Sequence, residues 1–549
     1  MKVFSQLKYL RSAFGKIIKM LIFLALVTIL VSLIALLPPY LSKLLFDEGV
    51  TVGNVNRIIY YGLFAIVAYL FYFILGFASQ AIFSIASNRF TVAVKNQALE
   101  RLLRLPLEFI DKKQSGYLVN RLDEVDTLSG LFSPTIFQFF SSLIKFVGAL
   151  VIMIGLSKII TSIALFFVPI FYLITRVMSH RIKKTSRILM ETSALMRGNL
   201  QESISGIPEI KQFTAESNKA REMVKQFTDV ATHKVRQSFS LGMGTQSLSF
   251  FASMASVIVL ILSGIYITRG QLSIGDYVAL AGYAGLLFEP VYIFGSFSLT
   301  IQPVLVAISR LSVIFKEKIE EELWGKKKAK KLKGNIIFKN IFFKYNLEGK
   351  YILKGCSFSL ARNDCVAILG KNGSGKSTLM KLILGFYPNY QGQILIDDTE
   401  LHNYDIVSIR KRIGIVSQNI ILFTGSVDSN IRLAKPQAKK EDIERALTLS
   451  GCKDIFGKAL SEIKISESGR NLSGGEKQVV AIARCLLKNP DILIFDEATA
   501  HLDINTHKLV MQAFKEVFAD KTRILITHDK EIAKFADRIL LLEDGKVKL

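Results

Sequence analysis

Residues 370–378 place the strongest constraint on what this chain can fold into. They have the spacing Gly-x-x-x-x-Gly-Lys-Ser/Thr, follow the apolar segment 366–369 and lead into the helix-like segment 378–384. A strand, a glycine-rich loop and a helix in this order hold phosphate groups with backbone N–H groups and the positive end of the helix dipole. An ordinary glycine-rich turn is the alternative, but the strand in front and the Lys-Ser pair in register argue against it. The motif predicts an α/β domain that binds a nucleoside triphosphate.

The residue types in this loop predict how the triphosphate is held. Lys376 is placed to reach the β- and γ-phosphates, and the Ser377 hydroxyl is placed to face Mg²⁺. The loop residues expected to contact the nucleotide are Gly370, Lys371, Asn372, Gly373, Ser374, Gly375, Lys376, Ser377 and Thr378.

A second apolar strand, residues 492–497, ends in two acids, Asp496 and Glu497. Asp496 suits coordination of Mg²⁺ through water, as in phosphate-loop proteins generally. Glu497 suits polarising a water molecule against the γ-phosphate. Acids at a strand end can instead cap the next helix, but the phosphate loop upstream favours the chemical interpretation.

Apolar residues are concentrated before about residue 312, and half of all 549 residues are hydrophobic. Six segments reach the roughly 20 mostly apolar residues that a membrane-spanning helix needs. Their approximate bounds are 18–40, 58–84, 134–156, 159–178, 247–267 and 275–300. Basic residues lead into the first of them, so we expect a multi-pass plasma-membrane protein with cytoplasmic N- and C-termini.

The net charge of +25 does not indicate a nucleic-acid partner, because the basic residues cluster between the apolar segments, as positive-inside membrane proteins arrange them. The four cysteines form no Cys-x-x-Cys pair and are interpreted as reduced thiols. The first apolar segment is too long for a cleavable signal and has no small-residue cleavage pattern.

Residues 88–133 and 179–246 are long, charged and helical in period. They predict membrane helices that continue into the cytoplasm and reverse near residues 108–121 and 206–213, where the tips could touch the nucleotide-binding part. Residues 316–333 contain the only tryptophan, Trp324, and a run of lysines. We expect a solvated hinge there, with contact to anionic lipid as the alternative.

Residues 472–478, Leu-Ser-Gly-Gly-Glu-Lys-Gln, form a second phosphate-binding pattern, a Ser-Gly-Gly turn that opens a helix. One nucleotide cannot easily use two such loops within one subunit. We therefore expect a dimer in which the turn of one copy closes on the nucleotide held by the other.

With these motifs the chain resembles the ATP-binding cassette (ABC) transporters, specifically the half-size exporters with six membrane helices, over essentially its whole length. The resemblance implies an α-helical transmembrane domain with long cytoplasmic extensions, fused to an α/β P-loop ATP-binding cassette domain. The expected bounds are 1–312 for the transmembrane domain, 313–333 for a linker and 334–549 for the nucleotide-binding domain. The implied cofactors are ATP and Mg²⁺.

The resemblance also implies roles for single residues. Tyr345 would stack on adenine, Gln418 would sense and bind Mg²⁺, and His528 would act near the γ-phosphate beside the base Glu497. The metal ligands would be Ser377, Gln418 and Asp496, and the cross-dimer contacts to nucleotide would come from Ser473, Gly474, Gly475, Glu476 and Asp503. Glu467 matches a loop specific to exporters. Glu476 stands where glutamine is commoner, and Ala500-His501 replaces a more usual pair, but neither change removes a group expected to do chemistry.

The expected activity is ATP hydrolysis that drives export of a hydrophobic or amphipathic drug, lipid or peptide by a homodimer in the lipid bilayer. A heterodimer, an importer built on the exporter fold, and an ATP-gated channel or regulatory subunit stay open. No peptidase domain precedes the first span, so we do not expect the chain to trim a leader from its cargo. The cargo itself is left open by the sequence.

Two ionisable residues lie near the middle of predicted spans, Lys145 in the third and Glu289, followed by Pro290, in the sixth. Charged groups at this depth are costly and are often functional. One hypothesis is that the two side chains pair in one state and expose a charge to cargo in another. A structural pair between helices, or a lysine that reaches toward the interface, is the alternative.

Overall fold

The computed structural model describes residues 11–113, 115–346, 348–457, 462–497, 502 and 504–548. They divide into two compact units. One, here called the membrane unit, holds the described residues up to Glu100 together with Val119–Phe315. The other, the cassette unit, holds Arg101–Leu118 and Lys316–Leu549. The first is helical and the second is α/β, which is the fold class that the sequence predicts.

The membrane unit is built of long helices joined by the shorter helices α2, α5 and α8, and one more short helix, α4, belongs to the cassette unit. Their bounds are α1 Arg11–Ile34, α2 Leu37–Leu44, α3 Val55–Leu103, α4 Leu107–Asp111, α5 Ser115–Thr127, α6 Pro134–Leu156, α7 Lys158–Ser205, α8 Ile207–Gln212, α9 Glu216–Thr268 and α10 Ile274–Lys316.

Five stretches of the described residues are long and apolar enough to cross a membrane. They are Ile17–Val50, Val55–Leu103, Arg121–Leu156, Lys158–Ser205 and Glu216–Thr268. The first five predicted spans lie inside them, and the sixth predicted span lies inside the 43-residue helix α10. Helices α3, α7 and α9 have 49, 48 and 53 residues. Since a bilayer needs only roughly 20, these helices extend well beyond it, as predicted.

The ends of these helices follow from local sequence. Ser157 separates α6 from α7, and its side chain accepts a hydrogen bond from the Ile160 N–H at the start of α7. Proline stands at the first turn of α8 and just before α4. Proline lacks an N–H and fixes its φ angle, so it is tolerated at a helix start but ends the preceding helical run. Short helices therefore occupy both predicted reversal points.

The cassette unit is built on a six-stranded sheet in the order β12-β11-β3-β10-β9-β6, with a four-stranded antiparallel sheet, β2-β1-β4-β5, and a small pair, β7-β8. Its strands are β1 Ile336–Phe343, β2 Leu353–Leu360, β3 Cys365–Leu369, β4 Gln391–Ile396, β5 Thr399–Glu400, β6 Ile413–Val416, β7 Gly425–Ser426, β8 Lys464–Ile465, β9 Ile492–Asp496, β10 Thr522–Thr527, β11 Arg538–Glu543 and β12 Lys546–Lys548. The helices are α11 Lys376–Ile383, α12 Ile406–Arg412, α13 Val427–Arg432, α14 Lys440–Leu449, α15 Cys452–Phe456, α16 Gly474–Leu487, α17 Ile504–Gln512 and α18 Lys530–Ala533.

Strands β3, β10, β9 and β6 are parallel neighbours, which confirms the parallel core predicted from four apolar runs. Their side chains are almost completely buried, as expected for a sheet covered on both faces. The two alternating runs near residue 340 form a single strand, β1. Asn340 has a φ of 52°, and the pairing register shifts beside it, so a bulge changes the phase of the alternation.

The segment after α10 is not a solvated hinge, and that expectation is wrong. Trp324 is only 5% exposed and stacks on the His402 ring with 4.9 Å between ring centroids. The backbone N–H groups of Gly325 and Lys327 donate to the carbonyl oxygens of His402 and Asn403. The lysine run dominates the composition, but burial of the tryptophan side chain decides where this segment packs.

Candidate functional site

The phosphate loop connects the buried strand β3 to helix α11. Gly373 and Gly375 have φ angles of 80° and 108°, a region that glycine enters without steric cost. Gly370 leaves no room for a side chain, because a Cβ atom there would lie 2.4 Å from the carbonyl oxygen of Leu542. The local sequence thus fixes the tight loop that the spacing predicts.

Lys376 is buried in this loop and donates from Nζ to the carbonyl oxygens of Gly370, at 2.7 Å, and Lys371, at 3.1 Å. Both acceptors are neutral, whereas a phosphate oxygen forms a stronger, charge-assisted bond with an ammonium group. The Ser374 Oγ is buried without a hydrogen-bond partner among the described residues. Buried polar atoms normally have a partner, so this loop fits a ligand rich in acceptor oxygens.

Oxygen donors suitable for a divalent cation meet beside the loop. The Ser377 hydroxyl donates to Oδ2 of Asp496 at 3.3 Å, and Asp496 is 4% exposed at the end of β9. Burial raises the pKa of Asp496, and the Ser377 hydrogen bond opposes that shift only in part. A hydroxyl and a carboxylate held this close are the ligands that Mg²⁺ prefers. The residues present therefore fit the metal.

Glu497 is held between two other predicted site residues. Its Oε1 lies 2.8 Å from Nδ1 of His528, and its Oε2 accepts from Nε2 of Gln418 at 2.7 Å. These three residues come from the ends of different strands. Glu497 has a φ of 51°, unusual for a residue with a side chain, while its N–H still donates to the carbonyl oxygen of Ile526 on β10. Backbone held in this way is common at active sites.

Gln478 is a site residue that the sequence reasoning missed. It is 2% exposed on α16 and donates from Nε2 to the backbone carbonyl oxygen of Glu497 at 3.2 Å. Helix α16 thereby supports the unusual backbone at Glu497. In the sequence, Gln478 could have been identified as a polar residue on the otherwise apolar face of this helix.

The Ser-Gly-Gly turn forms a capping box at the start of α16. The Ser473 Oγ accepts from the Glu476 N–H at 3.2 Å, and the Ser473 N–H donates to Oε2 of Glu476 at 2.7 Å. Ser-x-x-Glu is the sequence pattern of this cap, so the local role was readable in advance. Glu476, the departure from the commoner glutamine, therefore has a structural task in the subunit.

Tyr345 lies beside helix α11. Its hydroxyl is 3.0 Å from Thr378 Oγ1, and its ring makes edge contacts with Phe343 and Tyr387. The Nζ of Lys381 lies 5.3 Å from the centre of the Tyr345 ring. An aromatic ring is thus fixed next to the phosphate loop.

The other predicted residues have simpler placements. Lys371, Asn372 and Gly373 are exposed at the tip of the loop. Glu467 is exposed in the short turn Glu467–Gly469, which precedes the capping box. Asp503 lies outside the described residues, and so does His501.

The short helix α4 packs within the cassette unit beside this site. The Tyr387 hydroxyl hydrogen-bonds to Oδ2 of Asp111, and Nδ2 of Asn389 donates to Oε2 of Glu108 at 2.8 Å. Tyr387 also touches Tyr345, as described above. The first predicted reversal point therefore contacts the nucleotide-binding fold, as the sequence analysis proposed.

Comparison with protein families identifies the class of protein. The model of the ABC transporter transmembrane region matches residues 21–291, and the model described as ABC transporter matches residues 353–500. Both are present in one chain, in this order. The chain therefore belongs to the ABC transporters, as an ATPase coupled to transport and a multi-pass membrane protein.

The chain is similar to known proteins along nearly all of its length. It is 26% identical over 535 residues to the putative multidrug export ATP-binding/permease protein YgaD of Bacillus subtilis, covering 95% of this chain and 92% of that protein. It is 29% identical over 515 residues to the alpha-hemolysin translocation ATP-binding protein HlyB of Escherichia coli O157:H7, covering 92% and 71%. The structure of a bacterial Atm1-family ABC exporter with ATP bound matches with a TM-score of 0.87 at 24% identity, covering 97% of this chain and 95% of that one, and shows a shared fold.

Proposed function

We propose that two copies of this chain form an ATP-driven exporter that moves a hydrophobic or amphipathic compound out of the cytoplasm across the plasma membrane. The observation that carries the proposal is the clamp of Glu497 between Gln418 and His528, in a chain with helices of membrane length. A hydrolysis site and a membrane path in one polypeptide are what such a transporter needs. The names of the two similar proteins, one for multidrug export and one for hemolysin translocation, support the outward direction.

Each residue of the site has a task in this proposal. Lys376 and the backbone N–H groups of its loop bind the β- and γ-phosphates, and Tyr345 stacks on adenine. Ser377, Gln418 and Asp496 hold Mg²⁺, which neutralises charge on the phosphate oxygens when it is bound. Glu497 orients the attacking water and accepts its proton, and His528 positions the γ-phosphate.

Dimerisation completes the site. The turn at Ser473 is exposed and holds backbone N–H groups at a helix start, where phosphate binds well. We propose that this turn, together with Asp503, closes on the nucleotide bound by the partner copy. A heterodimer with a related chain would use the same contacts.

The variant Glu497→Gln tests the proposal. Glutamine keeps the size and one acceptor of the side chain but cannot take the proton, so ATPase activity should fall by about 10²–10⁴-fold. With ATP and Mg²⁺ the variant should retain nucleotide and hold its two cassette units together, measured by bound nucleotide after gel filtration and by cross-linking. Glu531→Gln, an exposed acid on α18 paired with Lys534, is the control and should behave as the wild type. Absence of both trapping and dimer closure would refute the proposal.

The direction of transport needs a separate test. Inside-out vesicles should accumulate cargo when ATP is added, whereas loss of preloaded cargo would indicate import. A channel or regulatory subunit would instead show ATP-dependent conductance without uphill movement.

A further inference from the structure

One ion pair lies deep inside the membrane unit, between α6 and α10. The Lys145 Nζ donates to Oε1 of Glu289 at 2.6 Å and to Oε2 at 2.8 Å. Of the alternatives raised by the sequence, pairing of these two residues is therefore confirmed. What the pair does is not decided by the contact itself.

Both charges of the pair lie well inside their helices, away from the helix ends that bound the predicted spans. Lys145 precedes the end of α6 at Leu156, and Glu289 follows the start of α10 at Ile274. At a rise of 1.5 Å per residue these separations correspond to about 16 Å and about 22 Å. In a hydrocarbon core about 30 Å thick that begins at these helix ends, Lys145 lies close to the centre and Glu289 somewhat beyond it, so both charges lie inside the core.

The two partners are not equally enclosed. The Lys145 side chain is 7% exposed, whereas the Glu289 side chain is 27% exposed. Because a carboxylate open to hydrocarbon would be very costly, we infer that the open side of Glu289 faces a polar or water-filled space. The pair as a whole is neutral, but it presents its negative end to that space.

Aromatic side chains continue the contact between the same two helices. Phe139 on α6 stacks on Phe297 of α10 with 4.2 Å between ring centroids and also lies near Phe294. Phe294 is 40% exposed. An apolar or aromatic body can lie along these rings, while a cationic group on it reaches the carboxylate.

We propose that Glu289 is a cargo-binding residue that selects amphipathic compounds with a positive charge, and that Lys145 holds its carboxylate in place. This inference rests on the proposed export function and specifies the cargo of that function. A carboxylate has about four acceptor positions, and the Lys145 ammonium occupies one side of the group, so a cation can bind on the open side without displacing the lysine. An anion would meet the carboxylate first, because Lys145 lies behind it.

The test uses the full chain in lipid nanodiscs and two probes of matched shape and opposite charge, tetraphenylphosphonium and tetraphenylborate. Wild-type protein should bind the phosphonium at least about 10-fold more tightly than the borate, measured by equilibrium dialysis. Glu289→Gln should lower phosphonium affinity by about 10-fold or more and remove the preference. Equal affinity for both probes in the wild type, or unchanged phosphonium affinity in Glu289→Gln, would overturn the inference.

A second variant separates cargo binding from a structural role. Lys145→Met removes the positive charge that partly neutralises Glu289 and repels a second cation, so it should tighten phosphonium binding several-fold, while a purely structural pair would make both single variants weaker binders. If Glu289→Gln does not fold, the double variant Lys145→Met/Glu289→Gln removes both charges and should still lack the preference. A double variant that still prefers the phosphonium would contradict the inference. Glu48→Gln, which affects an acid paired with Arg57 outside this site, is the matched control.

Failure of this inference differs from failure of the proposed function. Inside-out vesicles of the wild type that take up no probe with ATP, including a neutral fluorescent lipid, would overturn export itself. Vesicles that take up the borate or the neutral lipid as well as the phosphonium would leave export standing and overturn the charge selection.

Discussion

Two buried lysines, one in each unit, have opposite surroundings. Lys376 in the cassette unit is 7% exposed and donates to neutral carbonyl oxygens of its own loop. Lys145 in the membrane unit is 5% exposed and is bonded to both carboxylate oxygens of Glu289. The first lysine has no charged hydrogen-bond partner in these contacts, and the second has one.

The same difference extends to the neighbouring groups. In the nucleotide site, burial raises the pKa of Asp496, and the Ser374 hydroxyl is left without a partner among the described residues. These groups are poised for a ligand with compensating charge and acceptor atoms. In the membrane unit the enclosed Lys145 ammonium has little access to solvent, so a partner within the protein must neutralise its charge. A site for an anionic ligand thus needs polar groups that lack a charged protein partner, whereas a charge enclosed in the membrane unit needs such a partner.

The largest effect is expected at Lys376. Lys376→Ala removes the ammonium group from the γ-phosphate, and we expect a loss of about 10³-fold in ATPase activity. The protein should still fold, because the lost bonds are to two neutral carbonyl groups of the same loop. Lys381→Met, on the same helix but placed over the Tyr345 ring, is the control and should lose far less activity. Near-normal hydrolysis by Lys376→Ala would show that this lysine does not bind the γ-phosphate.

The membrane pair should show the reverse pattern, with its main effect on stability. Glu289→Gln leaves a buried lysine unpaired and should cost about 3–5 kcal/mol. Lys145→Met should cost less, because the Glu289 side chain that it leaves unpaired is 27% exposed, whereas the Lys145 side chain is only 7% exposed. The double variant should come close to the wild type. Thermal unfolding in detergent measures the stability of the three variants. Equal losses of stability in all three would contradict this ranking.

The pH dependence of folding stability in Asp496→Asn tests whether the Asp496 carboxyl group lacks a compensating charge in the absence of nucleotide. A carboxyl group with a raised pKa binds more protons in the folded than in the unfolded state, so stability falls as pH rises from its ordinary pKa through the raised one. Without nucleotide, Asp496→Asn should therefore unfold at a higher temperature than the wild type at pH 8. The gain should vanish near pH 4.

Asp442 provides a control of opposite sign for this measurement. It is exposed and bonded to Lys435, which lowers its pKa, so Asp442→Asn should lose a little stability at neutral pH. A stability loss in Asp496→Asn at pH 8 would show that its charge is compensated after all.

The smallest effect concerns the turn at Ser473. Glu476 adds a negative charge where the partner's γ-phosphate is proposed to bind, and like charges about 4 Å apart in water repel by about 1 kcal/mol. Glu476→Gln keeps the capping box and should lower the ATP concentration for half-maximal activity by about 5-fold. The dependence of the ATPase rate on ATP measures this, and a higher half-maximal concentration would count against the proposed dimer contact.

Local sequence predicts much of the nucleotide site. The loop contacts of Lys376 reach back only five and six residues, so one motif specifies both the lysine and its acceptors. The four central strands were readable because each is a continuous apolar run that ends at a turn or a charged residue. The role of Glu497 came from the acidic end of its apolar strand, and those of Gln418 and His528 came from family resemblance. The structure brings these three side chains together.

The tertiary structure alone decided the remaining features. Lys145 and Glu289 are 144 residues apart, and the sequence left their pairing open. Trp324 was assigned to a hinge because its neighbours are lysines, yet it packs into the cassette core. Gln478 reaches Glu497 only because α16 lies beside the end of β9. A local sequence pattern predicts the hydrogen bonds and the periodicity of a single helix or strand. Burial and ion pairing depend instead on which helices and strands, distant in sequence, pack against each other.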